Sequence, residues 1–288
     1  MKKTTLVALT LALVLALGAL VLGPAARSFA QENPTIYERP IQMNSPDTIS
    51  ADDEAALQHA IDVALNANWG DNVTVSVDGS YLVVQSNGIP DHNTGEFPAP
   101  GIPNEITEQT VNLRIPLLPK LADTPTEANM GTIGAAISGA VFFNPYDSGG
   151  IYAIGAVVLD ECNAHPSPTG QYHYHGVPYC ITDAVDSAGQ HSVLIGYALD
   201  GFAVYGAQDA NGDAPTDLDA CSGHFGPTPE FPDGVYHYHT TETAPYIMSC
   251  YSGVVSNTGG GRPAGGQQQP IGDNRPTRSD RPQQPRRP

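Results

Sequence analysis

Positive charge is scarce in this sequence. The chain of 288 residues carries 12 Lys and Arg against 30 Asp and Glu, a formal net charge of −18. The basic residues are also segregated. Lys2, Lys3 and Arg27 lie at the N-terminus and six Arg lie beyond Asn257. Between Gln31 and Ser256, only Arg39, Arg114 and Lys120 face 28 acidic residues, a net charge near −25. Such a surface repels nucleic acid and anionic membranes and attracts cations, so no nucleic-acid partner is expected. Other signals are missing too. There is no G-x-S-x-G elbow, no phosphate-cradling glycine loop and no dinucleotide fingerprint. The four Cys include no C-x-x-C pair of the kind that points to thiolate metal ligation. No run beyond Leu22 is long and apolar enough to cross a bilayer.

The N-terminus reads as a targeting segment. Lys2 and Lys3 precede an uncharged apolar run from about Thr4 to Leu22, and Ser28-Phe29-Ala30 has the small-x-small form of a cleavage site. Residues 1–30 are therefore expected to be a signal peptide. The mature protein is expected to be secreted, extracellular or periplasmic, with no stable membrane insertion after cleavage. Four Cys in an exported chain most simply make two disulfides.

What is present in quantity is duplication. Tyr172-His173-Tyr174-His175 recurs as Tyr236-His237-Tyr238-His239, and Leu159-Asp160-Glu161-Cys162-Asn163-Ala164-His165 matches Leu218-Asp219-Ala220-Cys221-Ser222-Gly223-His224. Pro178-Tyr179-Cys180 is echoed by Pro245-Tyr246, with Cys250 soon after. Upstream, Ile133–Phe143 aligns with Ile195–Tyr205; in both, two apolar runs flank Ser-Gly or Asp-Gly, which is hairpin chemistry. Acidic loops around Asp147 and around Asp209, Asp213 and Asp217 follow. The units span about 133–180 and 195–250, and their recurrence favours the pairings Cys162–Cys180 and Cys221–Cys250.

Before the duplicated region, residues 31–72 form an N-terminal extension. Pro34, Pro40 and Pro46 mark an extended lead-in, and Ser50 is a candidate N-cap. The apolar spacing of Ala56, Leu57, Ala60, Ile61, Ala64 and Leu65 predicts a helix near 52–67, with Gly70 as a stop signal. Val73, Val75 and Val77 alternate with polar residues before Asp78-Gly79 and a second apolar run, the firmest hairpin in the chain. Val111 to Ile115 reads as a strand ended by Pro116. Residues 257–288, rich in Gly, Gln, Pro and Arg, are expected to be disordered, and their Arg residues make the tail a candidate for contact with cell-wall polyanions. The expected fold is mainly β: a pseudo-symmetric sandwich or barrel-like domain built from two tandem repeats, with one short N-terminal helix.

As a strand, Y-H-Y-H sends its two histidines to one face and its two tyrosines to the other. Two imidazoles one residue apart can converge on an ion at about 2.0–2.1 Å per nitrogen, while the tyrosines are buried behind them. His165 and His224, each three residues beyond a Cys, supply a third imidazole per unit. The candidate metal ligands are thus His165, His173, His175, His224, His237 and His239. Asp160 and Asp219 are candidate acceptors for imidazole N–H groups. Asp91 and His92, in a turn-rich loop, are candidates for the same role or for the rim of a site. His191, in the connector between the units, reads as an exposed loop residue, and His59 as a solvated helix residue. Imidazole suits copper, zinc, nickel and iron alike, with Cu(II) favoured on intrinsic affinity.

The duplicated C-x-x-H…Y-H-Y-H unit, with Gly88-Ile89-Pro90-Asp91-His92 upstream and Leu199-Asp200-Gly201-Phe202 continuing to Val204-Tyr205-Gly206, resembles the secreted YHYH-domain family over roughly residues 73–256. The resemblance implies an exported protein and carries no established activity with it. The family's L-D-x-C-x-G-H form is met by the second copy, whereas the first has Ala164 in place of glycine, a difference expected to alter backbone freedom beside His165. Together these features predict a secreted protein that binds copper or zinc through its repeated histidines. A secreted metal-dependent hydrolase or oxidoreductase is the alternative, as is an envelope or adhesion domain whose histidines are structural.

Overall fold

The computed structural model describes residues 51–255. The expected signal peptide, the lead-in with Ser50, and the Arg- and Gln-containing tail lie outside them. Helix α1 spans Ala51–Asn66 and buries Ala56, Ala60 and Ala64, a narrow stripe of small residues. It ends four residues before Gly70, and the Trp69 indole N–H donates to the Ala64 carbonyl at 2.7 Å, closing the helix end. Strands β1 (Val73–Asp78) and β2 (Tyr81–Ser86) form the expected hairpin, with Asp78 opposite Tyr81 across Gly79-Ser80. Strand β3 (Val111–Pro116) pairs with β2 to complete a three-stranded sheet.

Strand β4 (Leu121–Glu127) is followed by β5 (Thr132–Ala136) and β6 (Val141–Phe143), which turn at Ser138-Gly139. Strands β7 (Ala164–Pro166) and β8 (Tyr172–Tyr174) carry the first Cys-x-x-His and YHYH segments. Helix α2 (Tyr179–Val185) then intervenes. It was not expected from the sequence, because seven residues from Tyr179 are too few to show an apolar period. Strands β9 (Leu194–Ala198) and β10 (Ala203–Tyr205) turn at Asp200-Gly201, and β11 (Gly223–Gly226) and β12 (Val235–His239) carry the second pair of segments. The last strand, β13 (Cys250–Gly253), pairs with β4.

Eight strands form one sheet in the order β11-β12-β10-β9-β5-β6-β8-β7. From its middle, each half repeats the same pattern: an antiparallel hairpin, a parallel neighbour carrying YHYH, and an antiparallel edge strand carrying the third histidine. The halves join through the antiparallel β5–β9 pair. At this seam a Cβ on Gly134 would lie 2.5 Å from the Tyr197 carbonyl oxygen, and one on Gly196 would lie 2.1 Å from that of Ala135. Both glycines are therefore required by close backbone approach.

The fold is mainly β and sandwich-like, with no closed barrel among the described residues. On one face of the large sheet, Ala135, Val141, Leu194, Tyr197 and Tyr205 pack with residues of β2, β3 and α1. On the other, Ile133, Phe142, Ile195, Phe202 and the four YHYH tyrosines form a second core together with Tyr251 of β13. Disulfides join Cys162 to Cys180 and Cys221 to Cys250, one within each half, and no described cysteine is free.

Candidate metal centres

The alternation of YHYH is realised on both β8 and β12. Tyr172, Tyr174, Tyr236 and Tyr238 enter the second core, while His173, His175, His237 and His239 come off the opposite face and are also buried. The tyrosine hydroxyls are anchored. Tyr172 donates to Asp160 Oδ2 and Tyr236 to Asp219 Oδ2, each at 2.6 Å. Tyr174 meets Ser138 Oγ at 2.8 Å, and Tyr238 donates to Asp200 Oδ2 at 2.6 Å. These anchors fix the strand from behind and so hold the imidazoles in front.

Register brings in the third histidine. His165 lies opposite His173 across β7–β8, and His224 opposite His237 across β11–β12. In the first cluster, His173 Nε2 and His175 Nε2 are 3.0 Å apart, and one ring nitrogen of His165 lies within 4.8 Å of both ligand atoms. In the second, His237 Nε2 is 2.9 Å from His239 Nε2 and 3.2 Å from His224 Nε2. His191 Nε2 lies 3.3 Å from the same atom. This corrects the expectation of an exposed His191: it is buried, edge-on to the Tyr205 ring, and the second cluster holds four histidines. Seven of the nine histidines in the chain are in the two clusters.

Nearly every imidazole has its other nitrogen committed. His173 Nδ1 faces the Gln171 carbonyl at 2.9 Å and His175 Nδ1 that of Asn144 at 2.7 Å. His237 Nδ1 faces Val235 at 3.0 Å, His239 Nδ1 faces Gly206 at 2.7 Å, and His191 Nδ1 faces Ser192 at 2.7 Å. A carbonyl oxygen only accepts, so each Nδ1 carries the proton and each Nε2 presents a lone pair. His224 Nδ1 is paired with Asp217 Oδ1 at 2.8 Å. His165 is the exception: its Nδ1 is buried, with the backbone of Val158 as the polar group beside it.

Burial keeps His173, His175, His237 and His239 neutral. It lowers His175 and His239 to a pKa of about 4 and His237 to about 2, with neighbouring imidazoles adding to the effect. His173 is also held well below its ordinary value by burial and by His175. Neutral imidazole is the form that ligates a metal. An Asp209 carboxylate oxygen lies within 4.8 Å of ligand atoms on His224 and His239.

The four carboxylate and rim candidates sit elsewhere. Asp160 accepts from the backbone N–H groups of Cys162, Ala164 and Gly95 as well as from Tyr172. Asp219 does the same for Cys221, Gly223, Tyr236 and Ser252. Neither bonds an imidazole; that role falls to backbone carbonyls and Asp217. His92 Nε2 meets Tyr174 OH at 2.5 Å, on the face of β8 opposite its histidines, and Asp91 precedes it on the exposed loop. His92 also approaches Cys162 and Cys180, whose sulfurs are bonded to each other and offer no thiolate. The Gly223 and Ala164 difference is one of space: a Cβ on Gly223 would lie 2.1 Å from the Tyr236 hydroxyl. Asp217 sits seven residues before His224 on an irregular loop, and no periodicity links the two. His191 could have been flagged only by its being a histidine just ahead of β9.

The family model described as YHYH protein matches residues 112–216 and 208–253. This stretch of the chain belongs to the YHYH family. All seven clustered histidines, His191 included, lie within the matched YHYH region. No curated protein and no solved structure matches the chain.

Proposed function

We propose that this YHYH protein is exported and binds transition-metal ions, copper or zinc, at its two histidine clusters. The observation that carries the reading is the separation of the Nε2 atoms. Metal–nitrogen bonds of about 2.0–2.1 Å place two ligating nitrogens roughly 2.8 Å apart at a right angle and roughly 3.4 Å apart at most in a tetrahedron. The four measured Nε2 separations, 2.9 to 3.3 Å, fall in that interval. With Nδ1 protonated against carbonyl oxygens, the Nε2 atoms have no proton to share, and their lone pairs repel unless a cation lies between them. A purely structural role does not account for that arrangement, since core histidines are buried to satisfy hydrogen bonds.

Export is supported by the two disulfides and by the signal-like residues 1–30. We also propose that the folding unit reaches ahead of the family match to include the first hairpin and α1, because β2 pairs with β3 along its whole length and α1 packs in the same core. The test of the metal reading is elemental analysis of protein purified without chelator and without a His-tag. About two equivalents of Cu or Zn are expected, either as isolated or after addition of the metal and desalting. Less than a tenth of an equivalent, with no uptake, overturns it. N-terminal sequencing of the exported protein is expected to begin at Gln31; a chain retaining Met1 overturns cleavage at Ala30.

A further inference from the structure

Behind the first YHYH strand, His92 stands against the Cys162–Cys180 disulfide. Its Nδ1 lies 3.7 Å from Cys162 Sγ, and one ring nitrogen and both sulfurs fall within 4.8 Å of one another. His92 precedes Cys162 by 70 residues and Cys180 follows it by 18, so no short Cys spacing announces the group. The group is also within reach of solvent: His92 and Cys180 are partly exposed and Asn93 is exposed. Cys221 and Cys250 are both buried, and among the described residues no group of three or more potential ligands includes either. In the oxidised chain His92 Nδ1–H donates to the Asn93 carbonyl at 2.9 Å, and Nε2 accepts from the Tyr174 hydroxyl. Tyr174 can equally accept from Nε2–H while donating to Ser138 Oγ at 2.8 Å, which frees the Nδ1 lone pair. The same Asn93 carbonyl lies 3.8 Å from each sulfur, where it can accept from a thiol.

We propose that reduction of Cys162–Cys180 by a dithiol opens a further metal site, in which His92 Nδ1 and the two thiolates hold a thiophilic ion, Cu(I) or Zn²⁺. The reductant's thiolate attacks the more accessible Cys180 Sγ, and the S–S bond breaks with its electron pair going to Cys162 Sγ. The second thiol of the reductant then displaces Cys180, so the chain gains two thiols and the dithiol becomes a disulfide. Metal binding releases both thiol protons to solvent. Bonds of about 2.3 Å to sulfur and about 2.0–2.1 Å to nitrogen put N and S about 3.6 Å apart at a tetrahedral angle, close to the 3.7 Å observed. The two sulfurs need to part to about 3.8 Å, within reach of side chains whose Cα atoms are 5.2 Å apart. Thiolates favour Cu(I) and Zn²⁺ over harder ions, and the Tyr174 hydroxyl orients the ring from its other nitrogen. The site rests on neither YHYH histidine cluster.

The folded protein treated with dithiothreitol, desalted without oxygen and titrated with Cd²⁺ tests this. Alkylation and peptide mass mapping should find Cys162 and Cys180 labelled and Cys221–Cys250 intact. Thiolate-to-cadmium absorption in the ultraviolet, which imidazole ligands do not give, should rise to one equivalent in the reduced protein and be absent from the oxidised one. His92→Ala should weaken this phase by at least about tenfold, since a lost ligand costs no less than the roughly 10–100-fold of a lost orienting partner. Should His92→Ala lose its native circular dichroism, His92→Gln gives the same readout with the side-chain volume retained. Cys180→Ser should remove the phase altogether. No thiolate absorption after mapped reduction, reduction of Cys221–Cys250 in place of Cys162–Cys180, or no reduction of the folded chain overturns the proposal. So does loss of native circular dichroism on reduction, or a His92 variant that binds as tightly as the parent. Each of these outcomes leaves metal binding at the histidine clusters standing, because those clusters contain no sulfur.

Discussion

Asp200 shows how much the residues behind the histidines contribute. Its carboxylate is fully buried beneath the second YHYH strand, where it accepts from Tyr238 and from the backbone N–H groups of Gly253 and Phe202. Burial raises its pKa from 3.8 to about 6, although these three donors work against the rise. The folded state therefore favours the protonated acid. The stability this contributes is fully present below about pH 3.8 and is lost as pH rises through about 6. Asp200→Asn stays neutral and escapes the loss. Urea unfolding of both proteins across pH 4 to 7 should show the difference in unfolding free energy shifting in the variant's favour by about 3 kcal/mol. A difference that does not change with pH would remove the buried-charge account.

The strand is the element that divides the labour in each half. On β8 and β12 the period of two sends imidazoles one way and tyrosines the other, and the Cys-x-x-His segment is held against the strand from its other side. Asn163 and Ser222 sit between Cys and histidine at φ of 56° and 69°, and their carbonyls accept the backbone N–H of His175 and His239 at 2.9 Å. The disulfides tether these same turns, Cys162 to Cys180 and Cys221 to Cys250, over sequence separations of 18 and 29. In the chain-entropy picture, loops of these lengths contribute about 3 to 4 kcal/mol each. Cys162→Ala with Cys180→Ala should lower unfolding free energy by about 3 kcal/mol and weaken metal binding at the first cluster alone. Equal weakening at both clusters would show that the tether acts through the whole sheet and not through its own turn.

Across the molecule, the order β11-β12-β10-β9-β5-β6-β8-β7 places the two YHYH strands five positions apart. Strands lie about 4.8 Å from their neighbours, so the clusters are separated by about 24 Å. No single ion spans that distance. His173→Ala and His237→Ala should each remove about half of the bound metal, and the pair should remove essentially all of it, by elemental analysis of folded protein. Complete loss from either single change would mean one shared site and would contradict the sheet order. The acidic surface adds a long-range attraction for cations that serves both ends, and uptake is accordingly expected to slow at high ionic strength.

The sequence by itself determined what depends on local pattern. Strand alternation in YHYH, the tight turns at Asp78-Gly79, Ser138-Gly139 and Asp200-Gly201, and the helix near 52–67 all follow from periodicity and turn chemistry within a few residues, although Leu65 of the expected apolar set is exposed. The cysteine pairing was legible because the two segments carry the same spacing of Cys and histidine. Tertiary structure decided what depends on which strands become neighbours. The β5–β9 pair that fuses the halves into one sheet, the entry of His191 into the second cluster, and the anchoring of His224 by Asp217 and not Asp219 all arise from contacts between separate segments. Asp160 and Asp219 lie on the tyrosine side of their strands, so they hold the phenols and leave the imidazoles to backbone carbonyls. A side chain's neighbours along the chain are set by its period, but its neighbours across a sheet are set by pairing, and only the folded chain reveals those.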